Sequence, residues 1–410
     1  MGGALLELIA TGKQDSHLTG NPQITFFKSV HKRHTNFSVE SISQQFLEAA
    51  DFGKKVTCII DRKGDLLSQT ILEVELPGLE TSLADADRKV SWINGIGHHM
   101  IKTIELTIGG EVICSMTGEF LDIYSELTVS GSQRDGYYKM VGKYSSYDRT
   151  TQRDSLRLYI PIPFWFCRDM GRVLPLIAMQ YSEIRINVEF RPFSECWFSG
   201  TTDKPSDPSQ LSITNAAIYC DYIYLDTFER KKFATMQNLE YLIEQVQLSD
   251  SNTISASSSS SIIDFYFNHP VKELIWVYQP TDVSLSNDWG NFSNTLADDT
   301  VIQTRAAPLD KCQIKLNGQD RFESRGAEYF RLVQPYQRHT TSPDDYVYMY
   351  SFGINPEKAQ PSGSCNFSKI DSSLLLVDYK SGILAGQIRI YAINYNILKI
   401  KNGMAGLMYS

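Results

Sequence analysis

Apolar and polar residues alternate with a period of two along most of this chain. Leu72, Val74 and Leu76 interleave with Glu73 and Glu75, and Ile104, Leu106 and Ile108 with Glu105 and Thr107. Leu156, Leu158 and Ile160 interleave with Arg157 and Tyr159, and Ile184, Ile186, Val188 and Phe190 with Arg185, Asn187 and Glu189. Successive side chains of a strand point to opposite faces, so each run buries one face and wets the other. Strands of that kind belong to antiparallel sheets packed face to face. The same reading predicts strands at 218–225, 241–248, 262–267, 272–279, 311–317, 346–352, 373–378 and 387–398. In the first half only 119–127, with Phe120, Leu121, Tyr124 and Leu127 at helical spacing, predicts a helix.

The stretch 21–46 marks where this strand-based body begins. Pro22 breaks the chain after Asn21, an apolar run (Ile24, Phe26, Phe27) follows, and then a basic turn carries Lys28, His31, Lys32, Arg33 and His34. Alternation starts through Phe37, Val39, Ile42 and Phe46. Residues 1–24 therefore read as an N-terminal arm, whose 4–10 segment is too short to be a stable helix without a partner surface. The charged, strand-poor segment 227–237 places a domain boundary near residue 230, dividing the body into 25–228 and 229–410. An internal repeat supports the division: Gly110 and Gly118 follow one alternating run, and Gly318 and Gly326 follow another, both pairs offset by 208 positions. Each half also closes on an acid or amide before Tyr, Asp221-Tyr222 and Asn394-Tyr395. The expected fold is all-β, two duplicated sandwiches. The segments 196–212, 249–261 (with a serine tract from Ser255 to Ser261) and 280–310 read as large surface loops.

Composition bounds the function. The 410 residues suit two domains, 42% are apolar, and 22 Tyr and 20 Phe favour pleated, half-buried surfaces. A net charge of −8 argues against a surface built to neutralise nucleic-acid phosphates, and the 28–34 cluster is the only local candidate. The seven cysteines (58, 114, 167, 196, 220, 312, 365) are odd in number and scattered, without a C-x-x-C pair. They read as reduced, buried thiols and point to folding in the cytoplasm. No signal-peptide pattern or bilayer-length apolar run occurs, so the chain is expected to be soluble and intracellular when made.

Catalytic, cofactor-binding and metal-binding residues are all expected to be absent. None of the phosphate-cradling, dinucleotide, nucleophile-elbow or zincin motifs is present. The adjacent His98 and His99 face opposite ways if they lie on a strand, which prevents a shared metal. His31 and His34 have no carboxylate or thiol at ligand spacing, and Cys365 has only Lys369 nearby to activate it. The sequons at Asn36, Asn291 and Asn366 read as silent without a secretory signal. Rigid sandwiches with large loops and no site motif describe a structural or binding protein.

Several long blocks then carry a resemblance. The 18–42 stretch LTGNPQITFFKSVHKRHTNFSVESI, WINGIGHHMIKTIELTIGGEVI (92–113) and the 163–190 run resemble the major capsid proteins of nucleocytoplasmic large double-stranded DNA viruses. FNHPVKELIWVYQ (267–279), the 350–375 block and YAINYNILKIKNGMAGLMYS (391–410) are similar to the same family's second-domain blocks. The resemblance implies a double jelly roll, two tandem eight-stranded sandwiches, with no catalytic residue or cofactor to carry over. It implies homotrimeric, pseudo-hexagonal capsomers that tile an icosahedral shell in the virion, assembled in the host cytoplasm. Implied partners are further copies of the chain, minor capsid and penton proteins, and the inner viral membrane through the arm, with no specific nucleic-acid binding. Two alternatives stand beside it: a cupin-like metal or ligand-binding jelly roll, and a carbohydrate-binding sandwich. The first lacks an H-x-H pair, and the second would use Trp197, read as a buried anchor beside Phe198, or Trp289.

Overall fold

The computed structural model describes residues 2–79, 90–144, 154–199, 211–236, 238–296 and 305–409. Residues 2–36 belong to a unit of their own with two short helices, Gly3–Ile9 and Ser16–Thr19. Neither helix buries a side chain.

The second unit, Phe37–Ser410, holds the strands. In its first half the sandwich strands, apart from a short pair Val90–Trp92 and Trp197–Ser199, are β1 (Phe37–Gln45), β2 (Lys55–Ile59), β3 (Leu66–Leu76), β4 (Ile101–Ile108), β5 (Glu111–Thr117), β6 (Leu156–Pro161), β7 (Ile184–Phe190) and β8 (Asn215–Leu225). They pair antiparallel into two four-stranded sheets, β1-β8-β3-β6 and β2-β7-β4-β5. The second half supplies β9 (Asn238–Leu248), β10 (Ser260–Asp264), β11 (Pro270–Pro280), β12 (Leu309–Leu316), β13 (Gln319–Asp320), β14 (Val347–Ser351), β15 (Ser373–Tyr379) and β16 (Gly386–Lys401). Their order along the two principal sheets is β9-β16-β11-β14 and β10-β15-β12-β13. Numbered within each half, both sandwiches run 1-8-3-6 and 2-7-4-5. That is the jelly-roll order, twice.

The sequence reading placed most of these strands, but not β2, β5 or β13. β7 occupies 184–190, as the alternation predicts, and its pattern of buried and part-exposed positions follows the sequence. The internal repeat has a structural meaning at its first glycine only. Gly110 and Gly318 sit in the tight turns joining β4 to β5 and β12 to β13, at φ +91 and +76, where a side chain is strained. Gly118 and Gly326 are not equivalent: Gly118 opens a helix wedged against the chain, while Gly326 stands in open space.

The helices bear out one expectation and add two elements that were not predicted. The predicted helix is present as α1 (Gly118–Thr128), started by Thr117, whose hydroxyl accepts from Phe120 N. A second helix, α2 (Gly131–Val141), follows it and was not predicted, since it lacks an apolar stripe and buries only Val141. Its legible signals are Ser130 before it and Gly142, left-handed at φ +67, after it. The boundary segment is a third helix, α3 (Thr227–Thr235), capped by Asp226.

The sandwich expectation of one wet face fails for the second half's first sheet. Leu274, Trp276 and Tyr278 of β11 face their own core with Tyr348, Tyr350, Ile388 and Ile390. Ile275 and Val277, one residue out of phase, join Val347, Met349, Tyr391 and Ile393 in the core of the first half. β11 and β14 are buried almost without alternation because the first sandwich covers their outer face. Each such side chain removed from water is worth roughly 1.5–3 kcal/mol.

A Cβ built on Gly118 would lie 2.2 Å from both His98 O and Ile101 O, which are backbone atoms and cannot yield cheaply. Gly118→Ala is expected to lower stability by about 3 kcal/mol or more, beyond the ~1–2 kcal/mol expected for Gly318→Ala in its open turn. Thermal denaturation of the two variants side by side checks the order.

Candidate functional site: a buried ionic seam between the sandwiches

The polar chemistry of this protein is concentrated where the two halves meet. Glu244 of β9 is buried, and three cations from both halves converge on it. Lys272 Nζ of β11 donates to its Oε2 at 2.7 Å, Arg168 Nη1 to Oε2 at 2.6 Å, and Arg172 Nη1 to Oε1 at 3.0 Å. Burial opposes the charged carboxylate, but Lys272 and the two guanidinium groups outweigh it and hold the Glu244 carboxyl down to about 2. Arg168 also lies over the Tyr124 ring of α1, 4.3 Å from its centroid.

Next to Lys272 in the chain, Glu273 continues the seam. His339 is buried between two carboxylates, with Nε2 2.8 Å from Glu273 Oε2 and Nδ1 2.9 Å from Glu357 Oε1. Burial disfavours the imidazolium, yet Glu273 and Glu357 dominate and push its pKa up to about 9.

The adjacent histidines were expected to diverge on a strand. They lie instead on a helical turn, Ile96–His99, and both reach one carboxylate. His98 Nδ1 is 3.3 Å from Asp122 Oδ1, and His99 Nε2 is 3.6 Å from Asp122 Oδ2. Lys143 Nζ donates to Asp122 Oδ1 at 2.8 Å and to Glu126 Oε1 at 2.9 Å. Burial lowers the His98 pKa despite Asp122, so the ring is neutral, and its Nε2 lies 2.9 Å from the Tyr137 hydroxyl. Burial also penalises ionised Asp122, but Lys143 and the two histidines hold its pKa well below the carboxylate range. The second half closes over this cluster: Arg134 Nη1 donates to Asp344 at 2.6 Å, and Thr341 Oγ1 donates to Val129 O at 2.7 Å. Among the described residues no grouping of His, Cys, Asp and Glu is suited to a metal ion. The cluster ties three helical segments together with fixed charges.

The loop after β11 completes the seam. Asn287 Nδ2 donates to Ser194 O at 2.8 Å and Trp197 O at 2.7 Å, and Trp289 Nε1 donates to Glu195 O at 2.9 Å. This described part of the 280–310 loop therefore clamps onto the first half; residues 297–304 lie outside the described residues, as do 200–210 of the 196–212 loop. Trp197 is buried, and Arg191 covers one face of the half-buried Trp289 ring at 4.5 Å from its centroid.

The remaining candidates stand apart from the seam. All seven cysteines are free thiols, and burial raises the Cys365 pKa, the opposite of what a nucleophile needs. His31 and His34 are exposed in the arm unit, which has no strand there. Asn291 is buried and donates to Thr295 O at 2.7 Å, which closes that sequon in the folded chain; Asn36 and Asn366 are exposed. The seam itself was missed from sequence because Arg168, Glu244, Lys272 and His339 are scattered along the chain. Its one legible signal is a charged pair, Lys272-Glu273, inside an otherwise apolar strand.

Comparison with known proteins gives the arrangement its context. Residues 25–226 match the family model described as the major capsid protein N-terminus, and residues 229–406 match that of the large eukaryotic DNA virus major capsid protein. The chain belongs to this capsid protein family. It is 39% identical to the major capsid protein of Pyramimonas orientalis virus and 36% identical to that of Phaeocystis pouchetii virus, over the full length of both chains in each case. A quasi-atomic structure of the PBCV-1 virus capsid superposes with a TM-score of 0.81 at 30% identity, covering 94% of this chain and 100% of that one. The fold is the double jelly roll, and the protein is a structural, non-enzymatic component of the icosahedral shell of a large DNA virus. In such a protein a buried ionic seam holds two modules in one fixed relation.

Removing one partner of a buried ion pair leaves an uncompensated charge. Glu244→Gln is expected to cost about 3–5 kcal/mol, read as a lower midpoint in urea unfolding. The pH dependence has two limbs. Glu244 is shifted down, so its contribution is full above about 4.5 and is lost as pH falls toward 2. His339 is shifted up, so its contribution is full below about 6.5 and is lost as pH rises through about 9. Melting temperature against pH should show the alkaline limb flattened in His339→Gln and the acid limb flattened in Glu244→Gln.

Proposed function

We propose that three copies of this chain form a capsomer of pseudo-hexagonal outline and that such capsomers tile the shell. The observation that carries this reading is the identical strand order of the two sandwiches, since three chains then supply six similar modules. In this reading residues 25–228 are the first module, 229–410 the second, and 1–24 the arm. The arm faces the shell interior, toward minor capsid and penton proteins and the viral membrane. Its exposed Leu5, Leu6, Leu8 and Ile9, followed by the basic 28–34 cluster, supply the apolar and cationic groups for that role. Seven free thiols support synthesis and assembly in the reducing host cytoplasm. A net charge of −8 supports a shell that does not bind the genome directly. The carbohydrate-binding alternative loses Trp197 to the core and one face of Trp289 to Arg191.

Light scattering after size exclusion tests the reading. The expected result is a species of three times the 46.5 kDa chain that persists on dilution. A monodisperse monomer at every concentration would overturn it.

A further inference from the structure

The molecule contains one sandwich-to-sandwich interface and the exposed halves of a second. In the first half, the helix between the fifth and sixth strands, α1, is buried on nearly every side. It lies against the outer face of β9-β16-β11-β14: Phe120 packs on Tyr391 at 5.5 Å, and Glu119 pairs with Arg389 and accepts from the Tyr391 hydroxyl at 3.2 Å.

The second half places a helical segment at the same point of its topology. A wide turn, Tyr329–Val333, continues as the helix Gln334–Arg338 between β13 and β14. Its inner side is anchored by Phe330, 5.3 Å from Trp276. Its outer side carries Tyr336 (82% exposed) with Leu332 (43%) and Val333 (39%) four and three residues before it, and Ile354 (63%) beside it. Arg338 Nη1 donates to Ile354 O at 3.2 Å, which joins the two segments. Wide turns of this kind recur at functional surfaces.

The matching receptor face is also open. Register places Val39, Tyr219, Ile71, Pro161 and Tyr159 on the outer side of β1-β8-β3-β6. Val39 is 49% and Tyr159 37% exposed, and Tyr219, Ile71 and Pro161 are half-buried. A recess at the margin of this sheet is lined by Ile71 and Pro161 together with Leu121, Tyr124 and Ser125 of α1. Charge is complementary: this sheet face carries Glu73, Glu75 and Asp221 against Arg157, while residues 329–343 carry Arg331 and Arg338 and no acid.

We infer that the Leu332, Val333 and Tyr336 face of one copy docks on the outer face of β1-β8-β3-β6 of a second copy, repeating between chains the interface that α1 makes within one. The inference rests on the trimer reading and names its contact. The occupant is a second copy because this chain already builds that interface with its other sandwich, and because a shell brings copies side by side. An equal use of both faces in each copy is head-to-tail, and three such contacts close a ring.

The test uses the full chain at matched concentration with the wild type, Val333→Glu/Tyr336→Glu, Val39→Glu on the receptor side, and Ile262→Glu as a control at a 67% exposed site of β10. The expected result is a threefold fall in solution mass for the first two variants, with melting temperature unchanged, and no fall for the control. A trimeric wild type with a trimeric Val333→Glu/Tyr336→Glu variant overturns the docking inference and leaves the trimer intact. Loss of the trimer in Ile262→Glu as well overturns it as unspecific. A wild type that is monomeric throughout removes the trimer reading and the inference together.

Discussion

The arrangement of this protein depends on the second sandwich having a sheet that is apolar on both faces. Leu274, Trp276 and Tyr278 fill one core and Ile275 and Val277 the other, so β11 cannot be solvated on either side. A sheet of that kind needs a cover, and the first sandwich provides it. The two jelly rolls are therefore one folding object, and their relative orientation follows from burial rather than from the α3 connection.

Apolar packing alone is tolerant of small slips, since it is non-directional. The ionic seam supplies direction. Glu244 accepts from Lys272 on its own sheet and from Arg168 and Arg172 of the other sandwich, and each bond demands a particular angle and distance. Buried pairs of this kind add little net stability over well-packed apolar groups, but they penalise any register that leaves one charge without its partner. A shell component benefits from that penalty, because small errors in the angle between modules accumulate across many copies. The His98, His99 and Asp122 cluster serves the same end within the helical layer, where both imidazoles and Lys143 converge on one buried carboxylate.

Duplication gives this design its economy. The same strand order occurs twice, yet the helical segment between the fifth and sixth strands is treated differently in each half. α1 is buried on nearly every side, whereas the 329–338 segment shows Tyr336 to solvent. The difference follows from position: one helix has a neighbour within its chain and the other ends at the surface of the molecule.

The strands themselves were legible in the amino-acid sequence. Period-two alternation located β6, β7 and β15 with small errors at their ends, and the C-terminal half of β3, because an antiparallel strand with one wet face writes its environment directly into its residues. Gly110 and Gly318 likewise announced matching turns, since only the backbone conformation there has to be met. Long, ordered blocks also carried the family resemblance. Other features were decided by tertiary structure. A buried helix such as α1 and an exposed one such as α2 differ in what covers them, and α2 has no apolar stripe to announce it. His98 and His99 share Asp122 because a helical turn replaced the expected strand, and Arg168 and Arg172 reach Glu244 only after both sandwiches have formed. Local pattern records which face of an element is buried; which distant charges meet there depends on how separate elements pack, and that is a property of the folded chain.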